Sequence, residues 1–240
     1  MLETILDYER ALFLKLNGAH SMFGDQFMWL FTGFIAWIPA AVGFFVILFY
    51  ANSKRWKETL LIVLSIAVVI ALCDQFSSGF CKPYFARFRP THHPDFMNDI
   101  CTVFDYRGGM YGFISSHAAN GLGFVTLTSL IFRNRFYTVV SFLWATVSVY
   151  SRIYLGVHFI SDIVPGILTG LFFGWIAYQL FTFSHKRIFF QKNVEISILK
   201  KQYPSNGLSI FLTIVITTVI LITIISVLYA CQLIPAVTIK

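Results

Sequence analysis

Charge is scarce in this sequence. Charged residues make up 12 % of its 240 residues, whereas soluble domains average about 25 %. Hydrophobic residues make up 57 %, and the mean hydropathy is +0.73. So few polar groups cannot cover a globule in water, because a soluble fold needs a largely solvated surface. The composition therefore excludes an ordinary soluble domain and predicts a protein embedded in a lipid bilayer.

Several motifs of other protein classes are also missing. None of the four cysteines forms a CxxC pair, which argues against a zinc ribbon or a thioredoxin-like site. The sequence has no HExxH motif and no carboxylate cluster for magnesium, so no metal or other cofactor is expected. The formal net charge is +7, but no dense basic run interleaves with aromatics, which argues against nucleic acid as a partner. Residues 1–20 have no uninterrupted apolar core, so a cleaved signal peptide is not expected.

Apolar stretches of spanning length account for most of the chain. A transmembrane helix needs about 20 mostly apolar residues. Six stretches qualify, and they are 27–50, 59–80, 115–132, 136–154, 159–183 and 208–234. The expected fold is all-α: one polytopic membrane domain over 1–240 with about six transmembrane helices.

The N-terminal segment 1–20 is predicted to be an amphipathic helix that lies in the membrane interface. Its apolar residues fall near helical spacing, with acids and bases mostly on the opposite side. Glu9 is the exception, because it falls on the apolar side. At the other end of the chain, 208–234 is expected to form an extra C-terminal transmembrane helix.

The gaps between the predicted spans alternate in charge. The gaps 51–58, 133–135 and 184–206 share one side and hold ten bases against two acids. The remaining eight bases and nine acids lie on the other side. The positive-inside rule makes the first side cytosolic, so 184–206 is a basic cytosolic linker. Both termini and the loop 81–114 then face the periplasm or an organelle lumen. Cys81 and Cys101 bracket that loop, as a disulfide or as two free thiols.

Three polar segments stand at the ends of apolar stretches, all on the non-cytosolic side. The first runs from Lys82 through Arg87 to Arg89 and suits a phosphate clamp, or else an interfacial anchor of bases and aromatic rings. The second holds Ser115, Ser116 and His117 at a helix start, where free N–H groups can bind an anion. Capping serines beside an interfacial histidine are the alternative interpretation.

The third segment, residues 151–162, places His158 and Asp162 four residues apart, on one face of a helix. A carboxylate that holds one imidazole nitrogen leaves the other nitrogen free to act as a base or nucleophile. A buried ion pair is the alternative, but ionisable groups within a membrane span are usually functional.

Together these segments resemble the three-part signature of the type 2 phosphatidic acid phosphatases, which vanadium haloperoxidases and glucose-6-phosphatases share. The matching pattern is Lys82-x6-Arg89-Pro90, then Ser115-x-His117, then Ser151-Arg152-x5-His158-x3-Asp162. It covers a phosphatase core over 55–180. The second motif departs from the family, because Ile114 replaces a proline and Ser116 replaces a glycine. This change removes a fixed φ angle and limits how closely the backbone can approach a phosphate.

The resemblance implies a metal-independent mechanism with a role for each motif. His158 attacks phosphorus and forms a phosphohistidine, Asp162 orients it, and His117 protonates the leaving oxygen. The expected phosphate-binding groups are Lys82, Arg89, Arg152, Ser115 and Ser116. Asp74 and Ser151 are candidate supporting residues. His92, His93 and Arg107 in the outer loop are candidates for headgroup contact or for plain solvation.

The expected substrate is a phosphorylated membrane lipid that reaches the site from the bilayer. Family likeness suggests undecaprenyl pyrophosphate, a lipid A phosphate, phosphatidylglycerol phosphate or phosphatidic acid, processed at the periplasmic face of a bacterial inner membrane. A lipid phosphotransferase with the same histidines is the nearest alternative. A transporter and a catalytically dead lipid-binding relative are the others, and the oligomeric state stays open.

Overall fold

The computed structural model describes residues 2–51, 56–189 and 205–238. Within these residues the chain is helical and has no strand, which confirms the all-α fold. The helices are α1 (Leu2–Asn17), α2 (Met22–Thr32), α3 (Ile38–Ala51), α4 (Trp56–Asp74), α5 (Lys82–Phe85), α6 (Ser116–Phe132), α7 (Arg135–Tyr154), α8 (Ile160–Phe189) and α9 (Ser205–Ala230). A π-helical segment, Gln75–Cys81, joins α4 to α5, and short 3₁₀ turns span Phe34–Trp37, Pro90–His92 and Met97–Asp99.

Fewer helices than expected can cross a membrane on their own. Trp56–Phe85, Ile160–Phe189 and Ser209–Ala230 are long and apolar enough among the described residues. Met22–Thr32 and Phe34–Tyr50 make a fourth if this pair, bent by 64°, counts as one span. Helix α6 has 17 residues, which at 1.5 Å per residue is about 25 Å, short of the roughly 30 Å hydrocarbon core. The chain is a multi-pass membrane protein, and the prediction of six spans is not confirmed.

The centre of the bundle is the contact between α6 and α8, supported by α4. Small residues allow the two backbones to approach closely. A Cβ atom on Gly170 of α8 would lie 2.5 Å from the carbonyl oxygen of Ala119, and one on Gly123 of α6 would lie 2.9 Å from Cys73 Sγ. At the start of both helices, the Ser115 N–H donates to the Asp162 carbonyl over 2.9 Å. This pairing brings the second and third motifs together.

The two ends of the bundle differ in chemistry. At one end His185 Nε2 lies 3.2 Å from Glu58 Oε1, and Arg133 donates to the Tyr178 hydroxyl over 2.8 Å. These residues border the gaps predicted to be cytosolic. The three motifs lie at the opposite end. Part of the predicted linker 184–206, namely residues 190–204, lies outside the described residues.

Helix α1 lies at the motif end of the bundle. Phe13 is fully buried, with its ring centroid 5.8 Å from that of Phe96 and 5.4 Å from that of Phe159. Leu6 and Leu12 remain exposed on the same helix. The apolar face is therefore divided between the protein and the surroundings, and the interfacial position of α1 remains a prediction.

Asn17 at the end of α1 ties three segments together. Its buried amide nitrogen donates to the carbonyl oxygens of Cys101, Ile153 and Tyr154 at 2.9–3.2 Å. Its oxygen accepts from the Cys101 N–H over 2.9 Å.

Asn17→Ala leaves these buried groups unpaired, so we expect a loss of about 2–4 kcal/mol in unfolding free energy. Thermal unfolding in detergent measures it, and a shift no larger than that of the exposed-site variant Asn98→Ala would contradict it.

The cysteines are all free thiols. Cys73 and Cys81 are buried, and Cys101 and Cys231 are exposed. Of the two alternatives for the outer loop, the structure therefore has unpaired Cys81 and Cys101.

Candidate active site

The three motifs meet at one end of the bundle, although they are far apart in sequence. The loop after α5 turns back through a bridge between Phe88 and Tyr111, with the Arg89 N–H donating to the Met110 carbonyl over 3.0 Å. Side chains two apart on an extended segment point the same way. This arrangement directs Arg87 and Arg89 together towards the start of α8.

His158 lies between the Asp162 carboxylate and the Arg89 guanidinium. Its Nδ1 lies 3.5 Å from Asp162 Oδ2, and its Nε2 lies 3.1 Å from Arg89 Nη1. A guanidinium can only donate hydrogen bonds, so Nε2 is the unprotonated nitrogen and Nδ1 carries the proton. The lone pair of Nε2 therefore faces the cationic side of the site.

The electrostatic surroundings keep this imidazole neutral. His158 is buried, and burial lowers its pKa well below the usual value, with the charges of Arg89 and Arg152 acting in the same direction. A neutral imidazole is the nucleophilic form. Arg89 is fixed in turn, because its Nη1 donates to the Val157 carbonyl over 3.1 Å and its Nε donates to the Tyr111 carbonyl over 3.2 Å.

Lys82 is connected to the second motif through hydroxyl groups. Its Nζ donates to Ser116 Oγ over 2.6 Å and to Ser78 Oγ over 3.1 Å, and the two hydroxyls lie 2.9 Å apart. Ser78 donates to Asp74 Oδ1 over 3.2 Å. Asp74 therefore reaches Lys82 through a serine. Ser116, which stands where the family has a glycine, accepts the shorter of the two hydrogen bonds that Lys82 donates.

Ser115 and Arg152 complete the cationic pocket. Ser115 caps α6, with its Oγ accepting from the Ala118 N–H, and it is fully buried. Arg152 is also buried, with Nη1 donating to Thr32 Oγ1 over 2.8 Å, and its Nε has no partner among the described residues. A buried guanidinium with an unpaired N–H can accommodate an anion.

His117 lies in the first turn of α6, next to Ser116. Its side chain is exposed and lines a cavity between α2, α3, α4, α6 and α7. Within the described chain no side chain or backbone group forms a hydrogen bond with this ring. Its nitrogens are therefore available to a substrate.

The contacts of Arg87 and Glu9 could not be predicted from the sequence, and other residues lie elsewhere than expected. Arg87 donates to Asp162 Oδ1 over 2.8 Å and to Glu9 Oε2 over 3.2 Å. The position of Glu9 on the apolar face was the signal for this contact. Ser151 donates to the Ser148 carbonyl instead of reaching the site. His92 lies beside the Gly108 carbonyl, His93 lies against Phe96 and Phe159, and Arg107 is exposed.

Gly112 leaves room for the histidine–aspartate pair. A Cβ atom there would lie 2.8 Å from Asp162 Oδ2 and 3.5 Å from His158 Nδ1. We therefore expect Gly112→Ala to displace this pair and to lower kcat about 10- to 100-fold. The matched control is Gly109→Ala in the same loop, where a Cβ meets nothing within 4 Å. Steady-state phosphate release compares the two, and equal activity would contradict the prediction.

Comparisons with known proteins identify the family. A sequence model of the PAP2 superfamily matches residues 58–186. The lipid A 4′-phosphatase of Porphyromonas gingivalis is 47 % identical over 188 residues, which cover 78 % of each chain. The lipid A 4′-phosphatase of Bacteroides thetaiotaomicron is 37 % identical over 179 residues, which cover 74 % of this chain and 79 % of the relative. The crystal structure of a PAP2-type phosphatidylglycerolphosphate phosphatase from Bacillus subtilis has a TM-score of 0.57 at 18 % identity, covering 79 % of this chain and 89 % of that one. LpxE of Aquifex aeolicus has a TM-score of 0.50 at 24 % identity, covering 70 % and 93 %. The chain belongs to the PAP2 superfamily, the type 2 phosphatidic acid phosphatases, and is a membrane lipid phosphatase.

Proposed function

We propose that the protein hydrolyses the phosphate monoester at the 4′ position of a lipid A-type glycolipid, through a phosphohistidine on His158. The observation that carries the proposal is the geometry of His158, whose Nε2 lies 3.1 Å from Arg89 Nη1 while its Nδ1 lies 3.5 Å from Asp162 Oδ2. The substrate class rests on the two lipid A 4′-phosphatases, each similar over about three quarters of this chain.

The first half of the reaction forms the phosphoenzyme. His158 Nε2 attacks phosphorus and forms a P–N bond as the bond from phosphorus to the lipid oxygen breaks. His117 donates a proton to that oxygen, so the lipid leaves as an alcohol. Arg89, Arg152 and Lys82 stabilise the equatorial oxygens, where negative charge accumulates. Asp162 stabilises the positive charge that develops on the imidazole.

The second half of the reaction releases inorganic phosphate. His117 takes a proton from a water molecule, which attacks phosphorus and breaks the P–N bond. The electron pair returns to His158 Nε2, and the neutral imidazole is regenerated. All the groups that act are side chains of this protein. Among the described residues no set of three His, Cys, Asp or Glu side chains could hold a metal ion.

The site is proposed to face the periplasm of a bacterial inner membrane. The gaps 51–58, 133–135 and 184–206 hold most of the bases, and the contacts of Glu58 and Arg133 lie at the end of the bundle opposite the motifs. Positive loops mark the cytosolic side. A phosphorylated lipid in the outer leaflet would then reach the site laterally.

Phosphate release from a panel of lipids tests the function. The panel contains lipid A phosphorylated at the 1 or the 4′ position, phosphatidic acid, phosphatidylglycerol phosphate and undecaprenyl pyrophosphate, all assayed in detergent with a chelator. We expect chelator-resistant release that is fastest from the 4′-phosphorylated lipid. Loss of release in chelator, or faster release from another lipid, would contradict the proposal. Vanadate, a phosphate mimic, is expected to inhibit.

Phosphate transfer to an alcohol is the remaining alternative for the same histidines. Release of inorganic phosphate without an added acceptor separates the two reactions. A folded protein that consumes the lipid phosphate only when an alcohol is present, and that forms a phosphorylated alcohol without inorganic phosphate, would be a phosphotransferase.

A further inference from the structure

The cavity next to His117 is large enough for part of a lipid. Its volume is about 460 Å³, within the range of about 300–1,000 Å³ for small-molecule sites. Most of its wall is aromatic or aliphatic, including Phe31, Trp37, Phe124 and Trp144. Phe34 and Ile38 at its rim are exposed, so the cavity reaches the outer surface of the bundle.

Polarity falls along the face of α6 that lines this cavity. That face carries His117 first, then Asn120 and Gly121 about one helical turn later, and then Phe124 after about one further turn. Asn120 Oδ1 is buried and has no hydrogen-bond partner among the described residues. Phe124 also lines a second cavity of about 230 Å³, whose wall is apolar and includes Phe44 and Leu212. Trp37, Ala41 and Trp144 line both cavities, so the two are neighbours.

We propose that this cavity binds the leaving group of the substrate, with a polar linker beside Asn120 and an acyl chain against Phe124 and Trp144. The inference rests on the proposed role of His117 as the acid that protonates the leaving oxygen. That role requires the leaving oxygen next to His117, so the rest of the leaving group must lie beyond it. An acyl-bearing glycolipid matches this order: phosphoester oxygen, polar linker, apolar chain.

Gly121→Leu tests the proposal by filling the cavity. A Cβ atom on Gly121 meets nothing within 4 Å, so the added side chain extends into open space without a clash at its base. Because dephosphorylated lipid A is the leaving group, we expect its inhibition constant to rise at least about tenfold, a loss of roughly 1.4 kcal/mol in binding. Vanadate occupies the phosphate pocket, so its inhibition constant is expected to stay within about twofold. The ratio of kcat/KM for the lipid to that for p-nitrophenyl phosphate is expected to fall.

Leu143→Phe is the matched control, since it adds bulk at an exposed position of α7. Thermal unfolding establishes that both variants are folded. An unchanged inhibition constant for the dephosphorylated lipid in folded Gly121→Leu would overturn the leaving-group site alone. Failure of the wild type to hydrolyse any lipid A phosphate would instead overturn the proposed function.

A separate observation concerns the carboxylate behind His158. Asp162 Oδ1 accepts from Arg87 over 2.8 Å, and Oδ2 accepts from the Phe159 N–H over 3.0 Å while facing His158. Arg87 stacks over the Phe159 ring at 4.8 Å. Its other nitrogen donates to Glu9, whose second oxygen accepts from the Ser161 N–H over 2.7 Å. Glu9 thus connects α1 to the first turn of α8.

We infer that Glu9 is a positioning residue, which acts through Arg87 on the orientation of Asp162. Glu9 is 13 % exposed and Arg87 is 29 % exposed, so the pair is shielded enough to hold one geometry. A carboxylate that rotates away from His158 no longer stabilises the imidazolium that develops during attack. The chemical step slows as a result, while phosphate binding is retained.

Glu9→Gln separates positioning from stability. We expect kcat to fall about 3- to 10-fold with KM within about twofold, because an interaction that matters only in the transition state has been weakened. Asp7→Asn on the exposed face of α1 is the control. In a double-mutant cycle, Glu9→Gln should have little further effect in the Arg87→Lys background. Equal falls in both backgrounds, or a rise in KM with kcat unchanged, would overturn the inference.

Discussion

Replacement of His158 by alanine is expected to lower kcat at least about 1,000-fold, because the nucleophile of the proposed mechanism is then absent. A second measurement identifies the intermediate. Wild type mixed with ³²P-labelled lipid and denatured at alkaline pH should retain the label on the protein, since a phosphoramidate bond is labile to acid. His158→Ala should retain none. Label on the mutant, or activity near that of wild type, would contradict the phosphohistidine.

The control for this experiment comes from the outer loop. His93→Ala removes a ring that lies near Phe96 and Phe159, outside the contacts of His158 and Asp162. We expect its kcat within about threefold of wild type, since substitutions away from the site have small effects. Binding of vanadate to His158→Ala would show that the cationic pocket is intact without the nucleophile.

Replacement of Arg89 by lysine is expected to lower kcat/KM about 100- to 1,000-fold, although the charge is kept. The guanidinium holds the Tyr111 and Val157 carbonyls while one nitrogen faces His158 Nε2. A lysine has one ammonium group on a flexible stem and cannot satisfy this fork-shaped set of positions. Two carbonyls then lose their donor, and the pocket loses a planar contact to the phosphate.

Arg107→Lys is the matched substitution, made in the same loop at an exposed position. It changes the same chemical group without a contact to His158, so near-wild-type kcat/KM is expected. Near-wild-type kcat/KM in both Arg89→Lys and Arg107→Lys would contradict the prediction and show that the loop needs only positive charge.

The candidate site could be predicted from sequence because its chemistry is concentrated in three short segments. Lys82, Arg89, Arg152, His158 and Asp162 do come together, and each is a polar group that is costly to place at the end of an apolar helix. Spacing alone could not show that Ser151 bonds its own helix. It also could not show that Ser116, by replacing a glycine, becomes a partner of Lys82.

The spans were harder to predict, because composition does not report how a helix ends. The apolar stretch 27–50 reads as one helix, but the chain breaks near Gly33 and turns by 64°. The stretch 115–132 is apolar, and α6, capped by Ser115 and ending at Phe132, has 17 residues, which is at the lower limit for a spanning helix. Glu9 is a third example. An acidic residue on the apolar face of a helix indicates a polar contact, but the sequence does not show which residue makes that contact.

The nitrogen of His158 that we propose as the nucleophile is covered in this structure. The Arg89 guanidinium donates into the lone pair of His158 Nε2 over 3.1 Å, and a lone pair engaged in this way is a poor target for stray electrophiles in the membrane. A phosphate dianion offers the guanidinium stronger acceptors than an imidazole does, so in the proposed reaction this Arg89 hydrogen bond would pass from His158 Nε2 to a phosphate oxygen. In that reaction the phosphate group itself frees the His158 lone pair for attack, and without a substrate the lone pair stays engaged by Arg89.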